Sequence, residues 1–181
     1  MRQFGYTLVE LSVVVLIMAV VAAAVVRSQT SADVEPTLDA AAGEVAAAFR
    51  FARSEAIRSG EPHGVEASTS TQLVRVYRLD TSVSPPVPDY SSVRHPVDKQ
   101  LYHLDFSTHP LLAPVAMTQV ACWWSGLGFP TTFVGFSPSG TPKYDSGFQL
   151  HMLNWASITL GAGGETRMIS VAPMTGRVTV Q

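Results

Sequence analysis

The chain has 181 residues, room for one globular domain besides an apolar N-terminal segment, and its formal net charge at pH 7 is −2. Beyond Arg27 it carries ten Lys and Arg against thirteen Asp and Glu, a net charge of −3 (10 − 13) that excludes a generally basic nucleic-acid-binding surface. Its single cysteine, Cys122, excludes an intramolecular disulfide, so packing alone must hold the domain. The neighbours Trp123 and Trp124 indicate a buried thiol rather than a reactive one.

An apolar segment begins the chain. Residues 11–26 are apolar but for one serine, and extension back to Tyr6 gives twenty-one residues, close to the ~20 that a helix needs to cross a bilayer. Glu10 interrupts this segment, and a carboxylate inside a membrane span is costly unless it has a partner. A cleaved secretory signal is the alternative, with Arg2 before the apolar run and small residues at 22–24. Glu10 and the helical pattern that follows argue against that alternative, and a plain single-span anchor would not explain the acid.

Residues 5–10 read Gly-Tyr-Thr-Leu-Val-Glu and precede the apolar run, a pattern that resembles the class III leader of the type IV pilin and pseudopilin superfamily. The resemblance implies a leader peptide over residues 1–5 and cleavage by prepilin peptidase between Gly5 and Tyr6. It also implies that Tyr6 becomes the methylated N-terminus of the mature protein. Tyr6 departs from the usual Phe of that motif but keeps an aromatic ring at this position.

Glu10 lies four residues beyond Tyr6 on the same predicted helix. In a stack of parallel helices offset along their axes, its carboxylate can meet the N-terminal ammonium of a neighbouring subunit, so that two charges that are each costly in lipid neutralise one another. We therefore interpret Glu10 as a residue that sets the register of assembly. Its loss is expected to impair assembly more than folding of the exported domain.

The helical pattern continues beyond the apolar run. Apolar residues recur at spacings of three and four over residues 34–56, which predicts an amphipathic helix ended by Gly60. If this helix is continuous from Tyr6, it is ~80 Å long at about 1.5 Å per residue. Pro36 predicts a kink or a short unwound join. A linker over residues 28–36 is the alternative, because that stretch is polar and a poor helix former.

Residues 51–60 read Phe-Ala-Arg-Ser-Glu-Ala-Ile-Arg-Ser-Gly, which resembles the helix end of the subfamily that joins the general secretion pathway H pseudopilin (GspH) to the FimT and FimU minor pilins. Two later segments carry the same resemblance: Phe-Ser-Pro-Ser-Gly-Thr-Pro at 136–142 and Gly-Arg-Val at 176–178. No chemistry is required of Arg53 or Glu55, whose side chains are expected to be solvated.

The apolar period changes to two after the helix, which predicts a β-rich head over residues 61–181. Trp123 and Trp124 must then point to opposite sides of their strand. The proline-rich stretch 82–96 is predicted as a loop. Strands are predicted at 64–67, 73–79, 100–106, 115–117, 120–124, 132–136, 157–160, 168–171 and 176–180.

The resemblance implies an α+β fold, in which a helix with a transmembrane half (residues 6–26) and an exported amphipathic half (residues 27–60) packs on an antiparallel β head. We predict no catalytic residues, no metal and no cofactor. His103 and Asp105 share a strand face without a metal-binding spacing pattern. The glycine-rich stretch 161–165 lacks the Lys of a phosphate loop, and no serine lies in a nucleophile motif.

The function implied by the resemblance is structural. The chain is expected to be a minor pseudopilin of a type II secretion system, with a single pass through the bacterial inner membrane, a periplasmic head and a place in the pseudopilus. Arg2 before the span is consistent with a cytoplasmic N-terminus, and Arg27, where many pilins have Pro, favours the pseudopilin branch. The implied partners are other major and minor pseudopilins, prepilin peptidase, the inner-membrane assembly platform and membrane lipid.

A FimT- or FimU-like minor pilin of a type IV pilus is the alternative, with DNA binding in natural transformation as a further possibility. DNA-binding members of the FimT type carry Gly-Arg-x-Arg near the C-terminus, whereas Thr179 stands here in place of the second Arg. Arg177 is the candidate DNA contact in this alternative. With a single Arg on an acidic head, nucleic acid is disfavoured as a partner.

Overall fold

The computed structural model describes residues 8–32, 34–109, 112 and 114–181. Two α-helices come first, α1 (Leu8–Ala32) and α2 (Val34–Ser59). The strands in the described residues are β1 (His63–Ser68), β2 (Leu73–Asp80), β3 (Val87–Asp89), β4 (His103–Asp105), β5 (Ala116–Trp124), β6 (Phe133–Phe136), β7 (Lys143–Asp145), β8 (Leu150–Ala162), β9 (Glu165–Val171) and β10 (Val178–Val180).

The described helical residues 8–32 and 34–59 flank residue 33, which lies outside the described residues. Pro36 lies within α2, and the kink or unwound join that it predicts stays a prediction. The alternative of a linker over residues 28–36 is wrong, because residues 28–32 belong to α1 and residues 34–36 begin α2. Gly60 ends α2 as predicted, with a φ of 74° and its N–H donated to the Ala56 carbonyl oxygen at 3.1 Å.

The described part of the chain contains no helix that is both long and apolar enough to cross a membrane. The predicted span over residues 6–26, whose first two residues are outside the described ones, stays a prediction.

One face of α2 forms the centre of the core. The predicted apolar stripe is confirmed, because all of its residues except the first are buried. Val34, at the start of the stripe, is only partly buried, and Ala46 joins the buried set. The buried residues of α2 are Leu38, Ala41, Ala42, Val45, Ala46, Ala48, Phe49, Ala52 and Ala56.

The head consists of two antiparallel sheets, and α2 packs against strands of both. The first sheet has the order β3-β2-β1-β6, with β4 also paired to β2. The second has the order β10-β9-β8-β5, with β7 also paired to β8. The antiparallel β head was predicted, and the strand pattern gave no indication that it would divide into two sheets.

Several predicted strands have different limits in the structure. The predicted loop over residues 82–96 is wrong in part, because it contains β3, which pairs with the end of β2 through Arg78 and Asp89. The two strands predicted at 115–117 and 120–124 are one strand, β5, whose register against β8 shifts twice. The β8–β9 hairpin is confirmed, although β8 begins seven residues earlier than predicted.

The adjacent tryptophans of β5 lie on opposite sides of the sheet, as predicted. Trp124 is buried, and its Nε1 donates to Thr131 Oγ1 at 2.9 Å. Trp123 stacks on Trp155 of β8, with ring centroids 6.3 Å apart. Cys122 is buried as expected, and burial raises the pKa of its thiol to about 12.

Candidate functional site

The predicted N-terminal site is described only in part. Gly5 and Tyr6, the predicted cleavage and methylation residues, lie outside the described residues. Glu10, the predicted register residue, lies in the first turn of α1 and is exposed. The roles of these three residues stay predictions.

Three segments that carry the family resemblance meet at the C-terminal half of α2. Arg53 Nε donates to the Gly140 carbonyl oxygen at 3.0 Å, which ties α2 to the turn after β6. Gly140 closes that turn with a φ of 77°, and its N–H donates to the Ser137 carbonyl oxygen at 2.8 Å. The expectation that Arg53 is merely solvated is wrong, because its guanidinium joins two elements of the fold.

Gly176, in the third of these segments, packs against residues of the other two. A Cβ at this position would lie 3.0 Å from the Gly140 oxygen, 3.0 Å from Phe136 Cε1 and 3.1 Å from Arg53 Cδ, and the φ of Gly176 is 62°. Glycine is therefore required for both conformation and space. Nothing local in the sequence predicts that these segments touch. The signal that was available is their joint occurrence in one subfamily.

A second set of contacts fixes the head to the other end of α2. Arg167 of β9 donates from Nε to Asp39 Oδ1 at 2.6 Å and from a terminal nitrogen to Glu35 Oε1 at 3.1 Å. The hydrogen bond with Asp39 is the main reason why the pKa of Arg167 is raised. In the turn after β8, a Cβ at Gly163 would lie 3.0 Å from Val34 Cγ1. The head is thus attached to α2 near both ends of the helix.

Arg177, the candidate DNA contact, is exposed directly before β10. Its backbone N–H donates to Thr175 Oγ1 at 3.3 Å, which shapes the preceding turn. Among the described residues its guanidinium forms no ion pair. The side chain is therefore available to solvent.

The residues considered for catalysis or metal binding have structural roles. Asp105 accepts hydrogen bonds from the hydroxyl and backbone N–H of Ser107, at 2.6 and 2.8 Å, and hydroxyl donation lowers its pKa to about 2. The hydroxyls of Ser137, Ser139 and Thr141 bond to one another at 2.8 to 2.9 Å within the turn after β6. No group of three or more His, Cys, Asp or Glu within the described ranges is placed to hold a metal ion.

The family model described as Type II transport protein GspH matches residues 41–175, which include most of α2 and nearly the whole head. The chain belongs to the GspH family. A second model, the prokaryotic N-terminal methylation motif, matches residues 1–26. Both matches confirm the predicted membership of the type IV pilin and pseudopilin superfamily. A search of curated protein sequences finds no match.

Two solved structures of one minor pseudopilin share the fold of this chain. The minor pseudopilin EpsH from the type 2 secretion system of Vibrio cholerae is similar in two structures, both with a TM-score of 0.51. One is 15% identical and covers 80% of this chain and 95% of its own, and the other is 13% identical and covers 81% and 94%. The type IV minor pilin FimU of Pseudomonas aeruginosa has a TM-score of 0.45 and 16% identity, over 80% of this chain and 87% of its own.

The predicted α+β, pilin-like fold, with a helix packed on an antiparallel β head, is confirmed. GspH proteins are structural subunits, so the prediction that the chain is not an enzyme is confirmed. Their role implies assembly with other pseudopilins, the coarser part of the predicted partner set.

Proposed function

We propose that this GspH-family chain is a minor pseudopilin of a type II secretion system, a structural subunit of the pseudopilus that helps to export folded proteins. The observation that carries the proposal is the match to the GspH family over residues 41–175 behind an N-terminal methylation motif over residues 1–26. The attachment of the head to α2 through Arg53 and Arg167 supports it, because a subunit that transmits force along a filament needs a head that moves with its helix.

In this proposal prepilin peptidase cleaves between Gly5 and Tyr6 and methylates Tyr6. Residues 6–26 then anchor the subunit in the inner membrane in a single pass, with residues 27–60 and the head in the periplasm. The assembly platform draws the helix out of the lipid into the pseudopilus. Glu10 sets the register by meeting the N-terminal ammonium of a neighbour, since each charge alone is costly in lipid.

Intact mass measurement of the protein from its native host tests the maturation step. The expected mass corresponds to loss of residues 1–5 and addition of one methyl group. A protein that instead begins at Val25 would be a cleaved secretory product, and the pseudopilin proposal would be wrong.

Substitution of Glu10 tests the assembly step. Glu10→Gln is expected to abolish incorporation into sheared or purified pseudopili while leaving the head folded, because only the buried charge pair is lost. Glu165→Gln is the matched control, since it removes an exposed carboxylate at the start of β9. Equal incorporation of the Glu10 variant and the control would contradict the role of Glu10.

The second candidate is a FimT- or FimU-like minor pilin that binds DNA, and the exposed, unpaired guanidinium of Arg177 favours it. Deletion of the gene separates the two candidates: loss of enzyme export supports the secretion role, whereas loss of twitching or transformation with normal export supports the pilus role. For DNA binding, a gel shift of the full chain in detergent should show salt-sensitive binding that Arg177→Ala abolishes and Arg50→Ala preserves.

A further inference from the structure

A pocket lies on the face of the first sheet that points away from the core. Val65 of β1 and Val76 of β2 belong to the core cluster, whereas Tyr77, the next residue of β2, lies on the opposite side of the sheet and lines the pocket. The volume of the pocket is about 390 Å³, within the range of ~300–1,000 Å³ that is usual for ligand sites. The sheet therefore carries a space of ligand size that the core does not fill.

The ring of Tyr77 forms the floor of this pocket. Gly64 pairs with Tyr77 on one side and with Gly135 on the other, so the three residues form one row across β2, β1 and β6. A Cβ at Gly64 would overlap Cζ and Oη of Tyr77, and a Cβ at Gly135 would lie 3.9 Å from Oη. The ring thus occupies the space that Gly64 leaves open, and its hydroxyl reaches as far as β6.

The hydroxyl of Tyr77 has no hydrogen-bond partner among the residues that the structure describes, although only 6% of the residue is exposed. A buried polar group without a partner is costly. Burial raises the pKa of Tyr77, so the hydroxyl keeps its proton and can donate it. A ligand that offers an acceptor to this hydroxyl would remove the cost.

The walls of the pocket are aromatic and proline-rich. Tyr90, directly after β3, is held by its hydroxyl, which donates to Glu66 Oε2 at 2.7 Å, and by the Arg75 guanidinium, 4.1 Å from the centre of its ring. Tyr144 of β7 packs edge-on against Phe133, with ring centroids 4.8 Å apart. These contacts fix the rings before any ligand arrives. The apolar wall residues include Pro86, Pro88, Tyr90, Phe133, Tyr144 and Leu150.

The acidic side chains of the pocket already have donors. Glu66 Oε2 accepts hydrogen bonds from Arg75 and from Tyr90, at 2.7 Å each. Asp145 Oδ1 accepts the backbone N–H of Gly147 at 2.8 Å. The pocket therefore offers an unused donor while its carboxylates are engaged. It favours a ligand that brings carbonyl acceptors and apolar rings and few N–H groups of its own.

We propose that this pocket binds an extended, proline-containing segment of another protein. A prolyl residue has no backbone N–H, its ring packs on aromatic walls, and the carbonyl groups of the segment supply the acceptor that Tyr77 lacks. Aromatic-lined grooves recognise such segments because the polyproline II conformation is already formed before binding. An acyl chain fits less well, since its apolar part would leave the Tyr77 hydroxyl unpaired.

The test measures binding of a fluorescein-labelled decaproline peptide to the full chain in lipid nanodiscs, by fluorescence anisotropy. Nanodiscs are used because free detergent could occupy an apolar pocket. Tyr77→Phe removes only the hydroxyl and is expected to weaken binding about fivefold. It should fold at least as stably as the parent, because the group that it removes is unpaired. A Gly-Ser peptide of equal length should not bind.

Tyr102→Phe is the matched control. Tyr102 is also buried, but its ring packs on Phe51 of α2, with centroids 5.0 Å apart, and it does not line the pocket. This variant should bind decaproline within about twofold of the parent.

Four outcomes would overturn the proposal. They are absence of decaproline binding, equal affinity of the parent and Tyr77→Phe, equal weakening by Tyr102→Phe, and displacement of the peptide by decanoate that binds more tightly. None of them bears on the proposed function, which the intact mass and the secretion assay test separately.

Discussion

Arg53 Nε and the carbonyl oxygen of Gly140 are 3.0 Å apart, although 87 positions separate the two residues in the sequence. The hydrogen bond is partly buried and reaches from the side of α2 to the turn after β6. Gly140 accepts it only because the turn brings its backbone against the helix, where a Cβ would lie 2.7 Å from Ile57 Cδ1. The positive φ of 77° is thus the main reason why glycine is favoured at position 140.

Gly140→Ala is expected to lower the free energy of unfolding by about 1–2 kcal/mol, because alanine is strained at a positive φ and the end of the half-exposed Ile57 side chain must move to admit a Cβ. Gly60→Ala is the matched control. Gly60 has nearly the same φ, 74° against 77°, but a Cβ there meets nothing within 4 Å, so its cost should be only about 1 kcal/mol. Urea unfolding in detergent, followed by tryptophan fluorescence, gives both values. Equal losses would contradict the steric part of the argument.

Gly64→Ala is expected to be among the most damaging substitutions in the first sheet, at about 3 kcal/mol. A Cβ at position 64 would lie 2.4 Å from both Cζ and Oη of Tyr77 and 2.8 Å from the Val134 carbonyl oxygen. Gly128→Ala is the control, because a Cβ there meets nothing within 4 Å, and it should change stability by less than about 0.5 kcal/mol. Adding Tyr77→Leu to Gly64→Ala should recover part of the lost stability, because the ring that overlaps the new Cβ is removed. If the stability losses of the two single variants simply add in the double variant, the overlap with the Tyr77 ring is contradicted.

The parts of the fold that could be predicted are those with a long local signal. The buried residues of α2 recur at helical spacing from Leu38 to Ala56, about five turns, which is the pattern of an amphipathic helix. The leader motif at residues 5–10 could also be recognised, because it is continuous in sequence. It lies within the methylation-motif match over residues 1–26. The hairpin of β8 and β9 is marked by glycines at 163 and 164 that a tight turn requires.

The parts that could not be predicted depend on pairing between distant segments. Strand β3 has three residues and pairs with β2, and β7 has three and pairs with the start of β8, so neither is long enough to show a periodic pattern of its own. Arg53 looked like an ordinary exposed residue of a helix, because its acceptor is a backbone oxygen that sequence does not mark. The cleft between the last turns of α2 and residues 92–96 was missed in the same way, since residues 82–96 were predicted as a loop.

Cys122 is expected to make the folded protein less stable at alkaline pH. Its pKa is about 12 in the folded state because of burial, against ~8.5 for an unperturbed thiol. Between these values the unfolded chain releases a proton that the native state keeps, so stability is fully present below pH ~8.5 and falls as pH rises, by at most ~1.4 kcal/mol per pH unit from this group.

The measurement compares urea unfolding of the parent and Cys122→Ala from pH 8 to 11. At pH 8 the variant should be less stable by about 1 kcal/mol because of the lost sulfur contacts. The difference in free energy of unfolding should shrink and then reverse as pH rises. Only the parent has a thiol that ionises more readily in the unfolded chain than in the native state, so only the parent loses stability through this group. Tyr90 and Tyr102, whose pKa values burial raises to about 12, are present in both proteins and cancel. A difference that stays constant with pH would contradict the assignment.

Gly43→Ala separates the stability of the subunit from its assembly. Gly43 is exposed in the middle of α2, and a Cβ there meets nothing within 4 Å, so alanine should raise the free energy of unfolding by about 0.5–1 kcal/mol. Gly164→Ala, at a φ of 93° and equally open, should instead be destabilising. If a neighbouring α2 covers this face in the pseudopilus, the stabilised variant will assemble less well, because the added methyl group holds the helices apart. A variant that is more stable and assembles normally would place the contact between subunits on another face of α2.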